Sequence, residues 1–259
     1  MSDKVRYEVS GSVATVTITR PEVRNAMDMD VFGALADAGA RAGADRSVRA
    51  VVVAGAGQNF SSGIDTSVFT AGGNGSPSSI DIGRLQSAFT IFESIPKPTI
   101  AAVAGPTFGA GLQLAIACDF RVAAADTELS VMEVRWGILP DLGGTQRLPR
   151  MIGLGRAKEL AMTARRVGAN EALQIGLVNK VVAVGEHIAH AAEWARELAA
   201  GPPLALAAIK RLMNGAFDTP VREGLDREAT AQRRILASSD FIEAVTARVQ
   251  KREPHFEAR

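Results

Sequence analysis

The hydrophobic positions follow two different periods in the first part of the chain. Residues 5–20 alternate apolar and polar side chains around a Ser-Gly-Ser turn, which predicts a β-hairpin. Residues 27–44 have the spacing of an amphipathic helix. Residues 49–57 and 95–105 are short apolar runs that end in glycine, which predicts strands buried on both faces. Residues 71–79, rich in glycine and serine, predict a flexible loop.

The second part of the chain is predicted to be mainly helical. Residues 109–119 predict a helix, and residues 120–131 predict two short strands. Helices dominate from about residue 143, and the tail from 186 to 252 is predicted to carry two or three amphipathic helices. The recurring order of strand, turn and helix favours an α/β fold with a helical C-terminal part.

Two glycine-rich turns, at 54–65 and 104–113, stand out because each follows a predicted buried strand and precedes helix-compatible sequence. Glycine permits positive φ and close approach to the backbone, and a helix start presents unpaired N–H groups. Two such turns side by side can direct two N–H groups at one oxygen, which is the geometry of an oxyanion hole. Tight packing of strand against helix is the alternative explanation for these glycines.

Other chemistries lack their motifs. Neither turn completes the G-x-G-x-x-G pattern of a dinucleotide site, and no Gly-Lys-Ser/Thr phosphate loop is present. Ser61 and Ser62 are not part of a G-x-S-x-G nucleophile motif. His187 and His190 can share one helix face, but no cysteine or carboxylate motif accompanies them. A solvated helix is therefore predicted there, and no metal site.

Composition narrows the class of protein. The 259 residues are 47% hydrophobic and 22% charged, as in a globular protein, and the net charge of +1 argues against nucleic acid or an anionic membrane surface as partner. The single cysteine, Cys118, and the absence of an apolar signal core predict a cytoplasmic protein. The apolar window 99–118 contains Pro106 and Gln113, so a buried strand and helix are predicted rather than a membrane span.

Four segments carry more specific motifs, and together they resemble the crotonase family, also called the enoyl-CoA hydratase/isomerase superfamily. They are RPEVRNAMD at 20–28, FSSGIDTSVF at 60–69, the stretch 102–153 that begins AVAGPTFGAGLQ, and TARRVGANEALQIGLVNKVV at 163–182. Their order along the chain is also that of the family.

This resemblance implies an α/β fold built as a crotonase-like spiral of β-β-α units over residues 1–195. A helical C-terminal region, residues 196–259, is implied to associate into a homotrimer or into a hexamer made of two trimers. The implied substrates are acyl-CoA thioesters, with coenzyme A as part of the substrate and with no metal or organic redox cofactor.

The resemblance also assigns roles to single residues. The backbone N–H groups of Ile64 and Ala110 are implied to form the oxyanion hole that holds the thioester oxygen as it becomes an enolate. Ser67 stands where the family often has a lysine, which leaves Arg24, Arg84 or another subunit as the contact for a phosphate. The residues implied to lie against the substrate or its coenzyme A are Arg24, Asn25, Ala26, Ser62, Gly63, Asp65, Gly109 and Trp136.

Two positions decide the implied reaction. Hydratases of this family use two glutamates, and the corresponding positions here are Gln113 and Glu133. A glutamine cannot exchange a proton at neutral pH, so the two-glutamate route to hydration is incomplete. One glutamate suffices to move a proton from the α-carbon to the γ-carbon, as in the family's delta-3,delta-2-enoyl-CoA isomerases. A double-bond isomerase with Glu133 as proton shuttle is therefore predicted.

Asp141, eight residues after Glu133, is the third candidate catalytic residue beside Glu133 and Gln113. An acid at this offset resembles that of dienoyl-CoA isomerases and the nucleophilic aspartate of aryl-CoA dehalogenases. The alternative is that Asp141 caps the helix that follows it. Three functions stay open: the isomerase, a hydratase of fatty-acid beta-oxidation that tolerates Gln113 or uses Asp141, and an acyl-CoA-binding protein with little turnover.

Overall fold

The computed structural model describes residues 3–70 and 80–257, so the loop predicted at 71–79 lies outside the described residues. The predicted hairpin is confirmed: β1 (Val5–Ser10) pairs antiparallel with β2 (Val13–Ile18). Gly11 has φ of +58° in the turn between them, a conformation that glycine adopts without strain.

The described strands form two sheets. Besides β1 and β2 they are β3 (Ala50–Gly55), β4 (Thr99–Val103), β5 (Pro106–Phe108), β6 (Phe120–Ala124), β7 (Glu128–Ser130), β8 (Val167–Gly168) and β9 (Lys180–Val182). The larger sheet has the order β1-β2-β3-β4-β6-β9, in which every pair after the hairpin is parallel. The smaller sheet has the order β5-β7-β8, with β5 and β7 parallel.

Helices follow most strands and then make up the C-terminal part. The tail contains four helices, α8 to α11, where two or three were predicted, because prolines at the starts of α9 and α10 divide it further. The described helices are α1 (Met29–Ala44), α2 (Ser67–Thr70), α3 (Ile82–Ser94), α4 (Ala110–Ala115), α5 (Gly144–Ile152), α6 (Leu154–Thr163), α7 (Ala169–Gln174), α8 (His187–Ala199), α9 (Pro203–Asn214), α10 (Val221–Leu236) and α11 (Ser239–Gln250).

The larger sheet is buried on both faces. Val51 and Val53 of β3 join the core that contains Phe32 of α1, while Val52 joins a second cluster with Ala195 of α8. This explains why β3 is apolar at every position instead of alternating. The predicted domain boundary between residues 195 and 196 falls inside α8, whose buried residues on this face extend to Ala199, and the boundary itself stays a prediction.

The C-terminal helices are tied to the core by a partly buried ion pair. Lys210 of α9 lies 2.8 Å from Asp119 (Nζ to Oδ2) and donates to the carbonyl of Phe92. Further out, Phe217 and Val249 are exposed on the single chain. Association into a trimer or hexamer stays a prediction.

The window 99–118 contains β4, β5 and α4, all largely buried, which confirms the prediction of strand and helix there. Within the described ranges, no helix combines the length and apolar character that crossing a membrane requires.

Candidate active site

The two glycine-rich turns lie directly against each other. Phe108 donates its backbone N–H to the carbonyl of Ser61 at 3.0 Å. A Cβ added at Gly111 would lie only 2.3 Å from that same carbonyl oxygen, and one at Gly63 would lie 3.0 Å from the oxygen of Phe108. The Cβ added at Gly63 would also lie 3.7 Å from the backbone nitrogen of Ala110. The side-by-side arrangement expected from the sequence is confirmed.

Ile64 forms a parallel bridge with Met27, and its backbone N–H points away from Met27. Met27 donates to the carbonyl of Gly63 at 2.8 Å, and Asp65 donates to the carbonyl of Met27 at 2.9 Å. In a parallel bridge of this kind the amide of the middle residue points to the opposite side. A helix start does not explain this amide, since α2 begins only at Ser67.

Ala110 is the first residue of α4, so its N–H has no partner inside the helix. In the described part of the chain, neither this amide nor that of Ile64 donates a hydrogen bond. The preceding residue, Gly109, has φ of +52° and donates to Ser130 at 2.9 Å. The role of the two amides as an oxyanion hole stays a prediction that this geometry allows.

Glu133 lies next to this pair of turns because of strand pairing. Since β5 and β7 are parallel, their carboxyl ends meet at one edge, which brings Gly109 after β5 close to Glu133 after β7. A Cβ at Gly109 would lie 3.3 Å from Oε1 of Glu133. Glycine is thus required at 109 both by its φ and by the carboxylate in contact with it.

Gln113 is 2% exposed, and its amide has a partner on each side. Its Nε2 donates to Oε1 of Glu133 at 2.6 Å, and its Oε1 accepts from the backbone N–H of Gly144 at 2.9 Å. Glu133 is 6% exposed, and its Oε2 is buried without a hydrogen-bond partner among the described residues. An unpartnered buried carboxyl oxygen is costly and marks a candidate reactive atom.

The pKa values of the carboxyl groups of Glu133 and Asp141 are both raised. Burial is the main cause for Glu133, the negative charge of Asp141 adds to the rise, and the hydrogen bond from Gln113 acts in the opposite direction. Burial also raises the pKa of Asp141. Raised carboxyl pKa values in one place are typical of groups that handle protons.

The alternative that Asp141 caps α5 is wrong. The helix begins at Gly144 after Gly143, whose φ is +97°, and no side chain caps it at that position. Asp141 is therefore two residues outside the cap and half-buried. The N–H of Gly144 is instead satisfied by Gln113, which comes from α4.

Asn25 is predicted to lie against coenzyme A, which stays a prediction, and its side chain is used within the fold. It is fully buried, its Nδ2 donates to the carbonyls of Ala56 at 2.9 Å and Asn59 at 2.6 Å, and its Oδ1 accepts from the N–H of Arg20. Its neighbour Arg24 is exposed, and both have φ of +55°. Asn25 supports the turn from behind, and Arg24 remains accessible to a ligand.

The carboxylate of Asp65 is likewise engaged within the protein. It accepts the N–H of Ser67 at 3.0 Å and forms an ion pair of 3.0 Å with Arg20, and these contacts lower its pKa, with the Ser67 bonds as the main cause. Arg20 also donates to the carbonyl of Ala26 at 2.6 Å. Sequence reasoning missed Arg20, although it begins the motif RPEVRNAMD. Ser62 is half-buried, and its backbone N–H donates to the carbonyl of Arg24 at 2.9 Å.

Trp136 ends the 3-10 turn Glu133–Trp136 and is 65% exposed, followed by exposed Ile138 and Leu139. The contact of Trp136 with the substrate stays a prediction. Within residues 3–70 and 80–257, no three histidine, cysteine, aspartate or glutamate side chains are grouped so that they could hold a metal ion.

Comparisons with known proteins agree over nearly the full chain. The family model described as enoyl-CoA hydratase/isomerase matches residues 8–259. A peroxisomal Delta(3,5)-Delta(2,4)-dienoyl-CoA isomerase of Arabidopsis thaliana is 35% identical, covering 97% of this chain and 95% of that protein. A probable enoyl-CoA hydratase of Rhodobacter capsulatus is 35% identical and covers 98% of each. The crystal structure of an enoyl-CoA hydratase from Bacillus anthracis superposes with a TM-score of 0.94 at 31% identity, covering 99% of this chain and 100% of that one.

The role of Asn25 leads to a stability prediction. Asn25→Ala removes the partners of two carbonyls and one N–H, so we expect the free energy of unfolding to fall by about 2–3 kcal/mol. Arg24→Ala, at the adjacent position with the same φ, is the matched control and should change it by less than about 0.5 kcal/mol. Urea denaturation measures both. Equal effects of the two substitutions would contradict the assigned role.

Proposed function

This chain belongs to the enoyl-CoA hydratase/isomerase family and is an enzyme that acts on acyl-CoA thioesters, and we propose that it moves a carbon–carbon double bond along the acyl chain of an enoyl-CoA. The observation that carries this proposal is which side chains stand at positions 113 and 133, the two positions that decide the reaction. Glu133 is a buried carboxyl with one unpartnered oxygen, and Gln113 is an amide that cannot accept or release a proton.

The proposed reaction needs only one proton carrier. The carboxylate of Glu133 removes a proton from the α-carbon of a 3-enoyl thioester, and the electrons of that bond pass into a dienolate. The backbone N–H groups of Ile64 and Ala110 stabilise the negative charge on the thioester oxygen. The protonated Glu133 then returns the proton to the γ-carbon, which yields the 2-enoyl thioester and restores the carboxylate.

The raised pKa of Glu133 suits this proposed role. A base whose pKa lies close to the operating pH both removes and returns a proton efficiently. Burial and the nearby charge of Asp141 raise the pKa of Glu133, and no cationic side chain in the described part of the chain lowers it.

A second candidate, the isomerisation of a dienoyl-CoA, is supported by Asp141. Its side chain does not cap α5, it is half-buried, and its charge acts on Glu133. The dienoyl-CoA isomerase named above is one of the similar proteins. In this second reaction, Asp141 and Glu133 act as two proton carriers at opposite ends of the diene.

The identity of the product tests the proposed function directly. Purified protein is incubated separately with 2-enoyl-CoA, 3-enoyl-CoA and 3,5-dienoyl-CoA of several chain lengths, and the products are identified by mass spectrometry and NMR. We expect 3-enoyl-CoA to be converted into 2-enoyl-CoA without uptake of water. Rapid formation of 3-hydroxyacyl-CoA would instead establish a hydratase, and binding without any product would establish a binding protein.

Glu133→Gln should lower kcat for the isomerisation by about 100-fold to 10,000-fold, because it removes the proton carrier. The Kd for an unreactive acyl-CoA should change little, since the new amide oxygen still accepts from Gln113. In the unsubstituted enzyme, kcat/KM should fall as the pH drops through the raised pKa of Glu133, because only the carboxylate is a base. Glu128→Gln, at a partly exposed glutamate of β7 that pairs with Arg166, is the control and should retain activity.

Asp141→Asn separates the two candidates. In the reaction with Glu133 as the one proton carrier, Asp141→Asn should lower kcat by much less than the roughly 100-fold that follows from loss of a general acid or base. It should also move the acidic limb of the pH profile to lower pH, because it removes the negative charge that raises the pKa of Glu133. A larger loss, confined to the dienoyl substrate, would instead support the two-carboxylate reaction. Steady-state kinetics over a range of pH values measures both effects.

A further inference from the structure

The orientation of the Gln113 amide is dictated by its surroundings. Its oxygen accepts from the backbone N–H of Gly144 at 2.9 Å, and a backbone N–H can only donate. The opposite orientation would place two N–H donors against each other. The NH₂ group must therefore face Oε1 of Glu133, to which it donates at 2.6 Å.

We propose that Gln113 is a positioning residue that confines the proton carried by Glu133 to Oε2, the oxygen without a partner among the described residues. The inference rests on the proposed role of Glu133 as the proton shuttle. Because an NH₂ group offers donors only, Oε1 of Glu133 must accept whether the carboxyl group is ionised or protonated. Protonation at Oε1 would weaken the 2.6 Å contact, because the hydroxyl oxygen of a carboxyl group is a poorer acceptor than its carbonyl oxygen.

A glutamate at position 113 would not have this effect. Its carboxyl group could still accept from Gly144 with one oxygen, while its other oxygen would face Oε1 of Glu133. Two carboxyl oxygens in contact must share a proton, and the pair then titrates as one coupled unit. The amide keeps the shape and the contact with Gly144, and leaves Glu133 as the only proton carrier of the two.

Among the described residues, Asp141, from the loop before α5, is the ionisable group whose charge acts on Glu133, and it raises the pKa of Glu133. The backbone N–H groups of Glu133 and Met132 and the donor of Gln113 act against burial and Asp141, because they stabilise the ionised form. Removal of the Gln113 donor should therefore raise the pKa of Glu133 further and take away the side-chain contact that orients its carboxyl group.

Infrared spectroscopy reads the contact without turnover. The carboxyl stretch of Glu133 is obtained by subtracting the spectrum of Glu133→Gln at each pH. In the unsubstituted protein the protonated group should show the lowered C=O frequency of a carbonyl that accepts a hydrogen bond. In Gln113→Leu this band should move to higher frequency, and it should titrate at higher pH.

Kinetics gives the second measurement. Gln113→Leu should lower kcat for 3-enoyl-CoA by about 10-fold to 100-fold with little change in KM, the scale of losing a hydrogen bond to a charged group. Gln113→Glu keeps the contact with Gly144, so it guards against simple misfolding of the leucine variant. Its spectrum should show two coupled carboxyl titrations where the unsubstituted protein shows one.

Gln86→Leu is the matched control, because Gln86 of α3 donates its Nε2 to the carbonyl of Asp141 at 2.6 Å and so holds the same loop. It should leave the Glu133 band where it is. An unshifted band in Gln113→Leu, or an equal shift in Gln86→Leu, would overturn the inference even if the enzyme is an isomerase. Absence of isomerase activity in the unsubstituted protein would count against the proposed function alone, since the infrared result does not depend on turnover.

Discussion

The geometry of the candidate site depends on the close approach of two backbone turns, in which the contact leaves no room for a side chain. A Cβ at Gly111 would overlap the carbonyl oxygen of Ser61, and one at Gly63 would lie unusually close to that of Phe108. Because the turns touch through the backbone, the amides of Ile64 and Ala110 are fixed by the fold and do not depend on flexible side chains. Donors that are fixed before the reaction need no reorganisation when charge develops, which is the basis of their catalytic effect.

The second constraint is the burial of a carboxyl group with incomplete hydrogen bonding. Elsewhere around the turns the polar groups are satisfied: Asn25 uses both ends of its amide, and Arg20 pairs with Asp65. At Glu133 one oxygen has no partner among the described residues, and no cation compensates its charge. A fully satisfied Glu133 would be a more stable arrangement but a weaker base, since hydrogen bonds and cations favour the ionised form. In the reaction that we propose, the site therefore gives up some stability for reactivity.

Local patterns in the sequence predict the parts of this structure that depend on neighbouring residues. Periodicity is sufficient for the hairpin of β1 and β2, and the apolar run of β3 reports burial on both faces. Contacts between distant residues leave no such pattern. The N–H of Gly144 is satisfied from α4, 31 residues upstream, so no local cap signal could have corrected the interpretation of Asp141. The buried contacts of Asn25 leave no local pattern for the same reason, because its partners Ala56 and Asn59 lie more than 30 residues away.

Gln113 shows how one position can serve the fold and the chemistry separately. Its structural role is to accept the N–H of Gly144, and a carboxyl oxygen at the same place could do this equally well. Its chemical role depends only on the other end of the side chain, where NH₂ or oxygen faces Glu133. Exchange of these two groups would keep the volume and the contact with Gly144, but it would place a second ionisable group against Glu133. In the reaction that we propose, the amide therefore lets Glu133 titrate alone, whereas a carboxyl group would titrate with it as a coupled pair and would add the cost of burying a second ionisable group.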